Sequence, residues 1–321
     1  MKVYTDIDQF GPIKKPFVTT GTFDGVHFGH RVILKKLIKQ AKAEGGESVL
    51  LTFYPHPRMI LFPEDNSLKL LTSQPEKIKL LEKLGIEHLI IIPFTTGFSR
   101  MKAFKFVRDI LVNKIGVYKL IIGYDHQFGR NREGNLKQLE ELAPLFEFEI
   151  EEIPAQDIDA VNISSTKIRN ALMQGDIKSA DEYLGYEYPI SGEVIRGNQI
   201  GRSLGFPTAN IQYNNHYKLI PANGVYAVEI RVKETTYRGM MNIGRRPTLS
   251  DHDAGLTLEV NIFNFDENIY GKVITVLLRR RIRNEIKFKN LEALSAQLVK
   301  DKAKIKTYFI ETKDTWKSPF I

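Results

Sequence analysis

The sequence predicts an α/β domain, a parallel sheet with helices on both faces, followed by a small antiparallel β-barrel domain with a C-terminal helix. In residues 1–185, apolar runs of strand length alternate with helical patterns, which is typical of a parallel sheet covered by helices. In residues 186–321, helical periodicity gives way to short strand-like runs separated by Gly, Pro and Asn, which indicates a barrel. A helical pattern returns at about Leu291 to Phe309.

The composition restricts the class of protein. The 321 residues are enough for two hydrophobic cores, and the apolar and charged fractions are ordinary for a globular protein. The absence of cysteine excludes disulfides and is compatible with the cytoplasm, where we expect the protein to act. The longest apolar run, around Leu89 to Phe94, is strand-sized, and Met1–Asp6 lacks the apolar segment of a signal peptide. We therefore expect neither a membrane span nor secretion.

The net charge of +8 is unevenly distributed. Residues 1–185 contain 25 Lys and Arg against 24 Asp and Glu, whereas residues 186–321 contain 21 against 14. A second half with a charge of +7 could bind nucleic acid or small phosphorylated ligands, or could simply favour solubility.

The segment Thr19–His30 lies between a predicted strand and a predicted helix that ends at Gly45-Gly46. Backbone N–H groups at a helix start attract anions, and glycines let a phosphate approach the backbone. His27 and His30 are three residues apart, so both rings can point to one spot and donate hydrogen bonds to phosphate oxygens. The alternatives are a turn with two surface histidines, or a zinc site, which lacks cysteine and an obvious third ligand.

Two more loops follow predicted strands in the first domain. Pro55–Arg58 follows the strand Ser48–Tyr54, and its two prolines should hold the loop extended. Gly123–Gly129 follows the strand Val117–Gly123. Because ligands bind at the carboxyl ends of parallel strands, we expect both loops and the histidine segment to lie on one edge of the sheet.

Capping residues predict where the helices of this domain begin. Thr72–Glu76 has a capping hydroxyl and an early proline before a helix that ends at Gly85. Ser99 is predicted to cap the next helix. Ser164–Arg169 opens a later one, where hydroxyls, backbone N–H groups and a guanidinium could hold a phosphate, although alone the segment would be an ordinary N-cap.

The second half contains five predicted strands: Tyr188–Ile195, Asn223–Val232, Tyr237–Ile243, Leu256–Phe263 and Val273–Ile282. Between the first two lies Gly197–Asn210, whose glycines free the backbone to surround a phosphate. Thr208 and Asn210 are two residues apart, so in an extended strand their side chains share one face and offer oxygen ligands suited to Mg²⁺.

The segments of the first half resemble motifs of the nucleotidylyltransferase superfamily, whose fold is Rossmann-like. Gly21–His30 resembles the Gly-x-Phe-Asp-Gly-x-His-x-Gly-His motif of the bacterial bifunctional riboflavin kinase/FAD synthetases. Pro55–Arg58 resembles their His-Pro-Arg loop, Gly123–Gly129 resembles their Gly-x-(Asp/Asn)-Phe-x-Phe-Gly segment, and Ser164–Arg169 resembles their Ser-Ser-Thr-x-x-Arg motif.

This resemblance implies roles for residues in an FMN adenylyltransferase domain. His27, His30 and Arg169 would be catalytic, and His56, Pro57 and Arg58 would bind flavin. The implied ATP-binding residues are Gly21, Thr22, Phe23, Asp24, His27, His30, Asp125, Ser164, Ser165, Thr166 and Arg169. Thr22 replaces a common asparagine and His126 replaces a common phenylalanine, which puts in doubt which groups contact the base and ribose.

The second half resembles riboflavin kinases. Gly201–Asn210 resembles their Gly-Arg-x-Leu-Gly-Phe-Pro-Thr-Ala-Asn signature, Gly244–Thr248 their Gly-x-Arg-Pro-Thr loop, and Ile282–Phe288 their Ile-Arg-x-Glu-x-x-Phe segment. Glu259 occupies the position of the family's catalytic glutamate. The implied ATP-binding residues are Gly197, Gly201, Arg202, Gly205, Pro207, Thr208 and Asn210, with Mg²⁺ on Thr208 and Asn210 and flavin on Arg283, Glu285 and Phe288.

The resemblance implies an enzyme that phosphorylates riboflavin to FMN and adenylylates FMN to FAD, with ATP as co-substrate and pyrophosphate as product. We expect only small-molecule partners, no nucleic acid or membrane, and a monomer or weak homo-oligomer. One alternative is an enzyme with a single activity, in which one domain has become a binding module. Another is a nucleic-acid-binding barrel, although aromatic residues do not clearly alternate with the basic ones.

Overall fold

The computed structural model describes residues 1–65, 67–155, 163–197, 200–213, 217–245 and 255–312. The chain divides into two compact units, Met1–Ser165 and Thr166–Ile321. The division lies before the predicted boundary at residue 185, because the two helices between residues 165 and 184 pack with the second unit. Within that unit, the Ala222 amide donates to the Leu172 carbonyl, and the Tyr188 amide donates to the Asp181 carboxylate.

The first unit is built on a six-stranded parallel sheet with the order β1-β4-β3-β2-β5-β6. Its strands are β1 (Lys2–Tyr4), β2 (Pro16–Thr20), β3 (Glu47–Tyr54), β4 (His88–Pro93), β5 (Lys119–Gly123) and β6 (Glu149–Ile153). Every residue of β2 is buried, which is the pattern of a central parallel strand covered on both faces. The α/β class predicted for this half is confirmed.

Helices cover both faces of this sheet: α1 (Phe28–Ala43), α2 (Pro57–Leu61), α3 (Gln74–Leu84), α4 (Thr96–Ser99), α5 (Ala103–Lys105, continued by a π-helix over Phe106–Ile115) and α6 (Leu136–Phe146). The start of α3 is confirmed, because Ser73 and Glu76 form a capping box and Gly85 ends the helix in the left-handed conformation. The prediction that Ser99 caps a helix is wrong. The helix predicted to follow Ser99, which carries Phe104, begins at Ala103 after Lys102, and Lys102 makes no side-chain cap. Ser99 is the last residue of α4, and its hydroxyl donates to the Thr96 carbonyl.

The three loops predicted to share one edge of the sheet do so. Strands β3, β2 and β5 are adjacent and parallel, and Val18 of β2 is in register with Val49 and Leu120. The loops that leave these strands carry the histidine segment, His56 and Asp125. The extended loop predicted around His56 is wrong beyond that residue, because Pro57 begins a short helix that His56 caps.

The second unit begins with α7 (Ser165–Gln174, whose first residue belongs to the first unit) and α8 (Ile177–Leu184). A closed six-stranded antiparallel barrel follows, with the order β10-β11-β8-β7-β12-β9. Its strands are β7 (Pro189–Ile195), β8 (Ala209–Gln212), β9 (Gly224–Val232), β10 (Thr235–Arg245), β11 (Leu256–Ile262) and β12 (Val273–Arg283), and a short helix, α9 (Ile200–Ser203), precedes β8.

The predicted barrel and C-terminal helix are confirmed. The five predicted strands correspond to β7, β9, β10, β11 and β12, and the segment from Thr208, expected to be extended, leads into the short sixth strand β8. The final helix, α10 (Leu291–Glu311), is capped by Asn290. Its buried Ile305 and Phe309 join a core cluster with Phe206 and Met240.

Candidate active sites

The two histidines of the first unit lie at the start of α1. His27 is the N-cap residue of this helix and is 6% exposed, and its ring stacks on that of His30 with 3.6 Å between centroids. The ring of Phe23 lies 5.0 Å from that of His30. The predicted convergence of the two histidines is therefore confirmed, and both rings lie beside the N-terminal amides of a 16-residue helix.

The surroundings of His30 keep its ring neutral. Burial lowers its pKa well below the ordinary value, and positive charge at His27 and at Lys77 lowers it further. Within the described residues, the buried His30 Nδ1 atom has no hydrogen-bond partner. A neutral imidazole keeps one N–H donor and one lone pair, so it can bind a phosphate oxygen without a change of its own charge.

Hydrogen bonds fix the turn before α1. The buried Asp24 carboxylate accepts bonds from the amides of Leu71 and Thr72 and from the Thr72 hydroxyl, which also accepts one from the Gly25 amide. On the other side, the Thr22 carbonyl accepts bonds from Lys77 Nζ at 2.9 Å and from the Thr52 hydroxyl at 3.3 Å. These contacts give Asp24 a positioning role, and its predicted contact with ATP stays a prediction.

Some of the other residues predicted for the first site lie close to this turn. Gly21 and Thr22 continue from β2, and a side chain on Gly21 would press on the Phe23 ring, which is itself buried in the core. The Ser165 hydroxyl donates to the Asp24 carbonyl at 3.2 Å, which ties the serine motif to the histidine motif. Ser164 and Asp125 are exposed.

Two further groups of predicted residues have contacts of their own. In the predicted flavin loop, His56 Nδ1 accepts a bond from the Arg58 amide, Pro57 begins α2, and the Arg58 guanidinium pairs with Asp65 at 2.7 Å. Thr166, which is exposed, and Arg169 lie on α7 in the second compact unit. Their predicted role at the ATP phosphates stays a prediction.

His126, which replaces a phenylalanine of the common motif, has apolar surroundings. Its ring stacks on Phe128 with 5.8 Å between centroids, in a cleft also lined by Phe106, Leu120 and Leu139. Burial lowers its pKa to about 4, so the ring is neutral near pH 7. These apolar surroundings suit the phenylalanine that the common motif carries here.

Two residues predicted for the kinase site, Glu259 and Asn210, lie side by side on neighbouring strands of the barrel. Glu259 of β11 is in register with Asn210 of β8 on one side and with Asn242 of β10 on the other. Residues in register on antiparallel strands project to the same face, so a carboxylate and two amides line one row across three strands. Glu259 is only half-buried.

Along β11, apolar residues at even positions alternate with Thr257, Glu259 and Asn261. This alternation predicts that the apolar side chains face the core. Leu258, Val260 and Ile262 are buried as it predicts, but Leu256 is 41% exposed at the strand end. Asn261 is also buried, and its side-chain amide donates to the Pro207 carbonyl at 2.7 Å.

Two glycines of the segment Gly197–Asn210 lie close to the two predicted metal ligands at its end. A Cβ atom on Gly197 would collide with the Asn210 side chain, and one on Gly201 would collide with the Phe206 carbonyl and lie 3.4 Å from the Thr208 methyl group. Thr208 and Asn210 therefore point toward the same loop, as their spacing predicts. Gly205, with φ of 78°, ends α9, while the Arg202, Gly205 and Pro207 positions are exposed.

The predicted flavin residues of the barrel have different surroundings. Arg283 pairs through Nε and Nη2 with Asp301 of α10 at 2.9 Å, and Asp301 is fully buried. The Arg283 guanidinium also lies over the Phe288 ring, at 5.7 Å from its centroid. Glu285 accepts a bond from the Asn223 side chain, and its carboxylate lies against Gly244. Three residues of the predicted Gly-x-Arg-Pro-Thr loop, numbers 246–248, lie outside the described residues.

Comparison with known proteins identifies the family of the chain. The family profile described as FAD synthetase matches residues 12–167, and the one described as riboflavin kinase matches residues 184–309. A bifunctional riboflavin kinase/FMN adenylyltransferase from Listeria monocytogenes is 38% identical over 96% of each chain. This chain belongs to the family of bifunctional riboflavin kinases/FMN adenylyltransferases.

Other members of this bifunctional family are similar to the chain over nearly their whole length. The Haemophilus influenzae relative is 39% identical and covers 91% of this chain and 94% of its own. The relative from Escherichia coli K12 is 36% identical and covers 92% and 93%. Each family profile matches one half of the chain, and these relatives run through both units, which excludes a resemblance limited to one half.

A solved structure described as a macrolide-efflux protein from Streptococcus pneumoniae is also similar to this chain. It has a TM-score of 0.84 and 29% sequence identity, and the match covers 98% of this chain and 99% of the other. Efflux is the description of that protein alone. Among the described residues of this bifunctional family member, none of the helices is long and apolar enough to cross a membrane.

Two residues that support the first site have no motif in the sequence. Lys77 lies on α3 and Thr72 precedes it, and both are far in sequence from the histidine motif that they support. Asn242, which is in register with Glu259, is not marked by any motif residue either. The one available signal is the position of Lys77, four residues before Leu81 and therefore on the same buried face of α3. A buried lysine requires a partner.

Proposed function

We propose that this chain catalyses two consecutive steps of flavin cofactor synthesis. The barrel unit transfers the γ-phosphoryl group of ATP to the 5′-hydroxyl of riboflavin and releases FMN and ADP. The α/β unit joins FMN to the AMP part of a second ATP and releases FAD and pyrophosphate. The observation that carries the proposal is the presence of two different phosphate-directed sets, the stacked histidines at α1 and the Glu259 row across the barrel, one in each unit.

In the kinase step, Glu259 accepts the proton of the riboflavin 5′-hydroxyl as its oxygen attacks the γ-phosphorus. The bond from that phosphorus to the β–γ bridging oxygen breaks, and the electron pair leaves with ADP. Half-burial suits a general base, because the carboxylate is partly shielded from water yet open to substrate. The glycine-rich segment over Asn210 supplies backbone amides for the ATP phosphates.

The residues present suit a magnesium ion at this site. Thr208 and Asn210 offer a hydroxyl and an amide oxygen toward one loop, and these are the hard ligands that Mg²⁺ accepts together with phosphates and water. When bound, the ion would neutralise charge on the transferring phosphoryl group. We propose Thr208 and Asn210 as its protein ligands.

In the adenylyl step, the attacking group is the phosphate of FMN, which is already an anion and needs no strong base. One of its oxygens attacks the α-phosphorus of ATP, and the bond to the α–β bridging oxygen breaks as pyrophosphate leaves. His27 and His30 hold phosphate oxygens by hydrogen bonds, and the amides at the start of α1 add a positive field. Ser165 and Arg169 are proposed to grip the leaving pyrophosphate.

We assign adenylyl transfer to residues 1–185 and the kinase to residues 186–321. Helices α7 and α8 then belong to the first domain by sequence, although they pack with the barrel. We further propose that the enzyme acts in the cytoplasm, as a monomer or weak homo-oligomer, with flavins and ATP as its partners and without nucleic acid. The charge of +7 in residues 186–321 would then attract the negatively charged phosphorylated substrates.

The experiment that tests the proposal is incubation of the purified chain with riboflavin and Mg-ATP, with the products separated by chromatography. FMN should form first and FAD should follow. Supplied FMN should give FAD and pyrophosphate without riboflavin. Formation of FMN alone would favour an enzyme with a single activity, and formation of neither product would contradict the proposal.

A further inference from the structure

Lys77 is a buried lysine next to the adenylyl transfer site. It lies on α3 and is 6% exposed, and its Nζ atom donates to the Thr22 carbonyl at 2.9 Å. Burial of an ammonium group is costly unless the group is paired, so a lysine in this position needs a compensating environment. Thr22 lies two residues before Asp24 and at the entry to the turn that leads to His27.

Titratable and charged groups act on His30 and on Lys77. The charges of His27 and Lys77 lower the pKa of His30. Arg31, on α1, donates through its Nε atom to the Val26 carbonyl. Asp24 favours the charged form of Lys77, which opposes the effect of burial on the pKa of that lysine. Lys77 thus brings a positive charge close enough to His30 to lower the pKa of that ring.

We propose that Lys77 is a positioning residue for adenylyl transfer, which fixes the turn before His27 through the Thr22 carbonyl and places a positive charge near His30. The inference rests on the proposed role of His27 and His30 in that reaction. No motif of the sequence pointed to Lys77, and its contact with Thr22 spans 55 residues.

Burial and nearby positive charge act together on His30. With 3.6 Å between the ring centroids of His27 and His30, two protonated imidazoles would repel each other strongly in this low-dielectric site. Burial is the main cause that lowers the pKa of His30, and the charges of His27 and Lys77 act in the same direction. His30 then stays a neutral donor, and the charge of Lys77 attracts the phosphates.

Two substitutions in the full-length chain separate this role from simple packing. Lys77→Met keeps the length of the aliphatic chain and removes the charge and the donor, whereas Lys77→Arg keeps both. The His30 signal is identified by its loss in His30→Gln, and its pKa is then followed by NMR in each variant. FAD formation from supplied FMN and FMN formation from riboflavin are measured over the same pH range.

We expect Lys77→Met to lower FAD formation by about tenfold to a hundredfold, the scale of losing precise placement in an active site. The pKa of His30 should rise, and the acid limb of FAD formation should move to higher pH with it. Lys77→Arg should stay within about fivefold of wild type, with the His30 pKa unchanged. FMN formation should be unchanged in both variants.

Several results would overturn the inference. FAD formation within twofold of wild type in Lys77→Met would do so, and so would a loss of activity without any rise in the His30 pKa. Equal losses in folded Lys77→Met and Lys77→Arg would mean that packing, not charge, is what matters. If Lys77→Met does not fold, Lys77→Gln replaces it under the same criteria. His30→Gln with normal FAD formation would instead refute the proposed function of the histidine pair.

Discussion

Asp24 provides the sharpest test of how the first site is held together. Its carboxylate is 3% exposed and accepts bonds from the amides of Leu71 and Thr72, at 3.0 to 3.2 Å, and from the Thr72 hydroxyl. Asp24→Asn removes the charge and turns an amide N–H₂ group toward these donors. One charge-assisted hydrogen bond is lost and one buried donor is left unsatisfied, which together cost about 3 kcal/mol or more.

The matched control is Asp125→Asn, because Asp125 was assigned to the same ATP-binding set but is exposed. Urea unfolding followed by circular dichroism should show the first unit of Asp24→Asn unfolding at lower urea, whereas Asp125→Asn should change the free energy of unfolding by less than about 0.5 kcal/mol. Hydrogen exchange at the Leu71 and Thr72 amides should accelerate only in Asp24→Asn. Unchanged unfolding and unchanged protection in that variant would refute the positioning role of Asp24.

Three further predictions follow from the structure. Asp301→Asn should destabilise the barrel unit by about 3 kcal/mol in urea unfolding, because the partly buried Arg283 loses its ion pair; an unchanged midpoint would contradict this. Because His126 titrates near pH 4 when folded and near pH 6.5 when unfolded, the first unit should lose stability as pH falls through that interval, and less so in His126→Phe; equal pH dependence of thermal unfolding would contradict this. Fragment 166–321 should melt above fragment 186–321, since α8 packs on the barrel; equal melting temperatures would exclude that contribution.

The segments with a strong local signal were predicted well. The alternation of strands and helices predicts a parallel sheet, and the loops that follow parallel strands lie at the same edge. Ser73, Glu76 and Gly85 marked α3 correctly, since capping boxes and left-handed glycines act within a few residues. His27 and His30 are brought together by the pitch of one helix, which a sequence reveals directly.

The features that the sequence did not reveal leave no local signal. The helix that carries Phe104 begins at Ala103, after Lys102, whose side chain makes no capping hydrogen bond. The two helices before residue 185 pack with the barrel through contacts such as that of Leu172 with Ala222, which no local pattern records. The ion pair of Arg283 with Asp301 joins β12 to a helix that follows it, and no local pattern records that contact; the assignment of Arg283 to flavin stays a prediction.

The central claim is that two separate sites perform two separate reactions. The direct test is a crossed pair of variants in the full-length chain, His30→Ala and Glu259→Gln, each assayed for FMN formation from riboflavin and for FAD formation from supplied FMN. His30→Ala should reduce FAD formation by about a hundredfold or more and leave FMN formation nearly intact. Glu259→Gln should reduce FMN formation by about a hundredfold or more and leave FAD formation intact. Parallel loss of both activities in either folded variant, or an FMN rate within a few-fold of wild type in Glu259→Gln, would contradict the assignment.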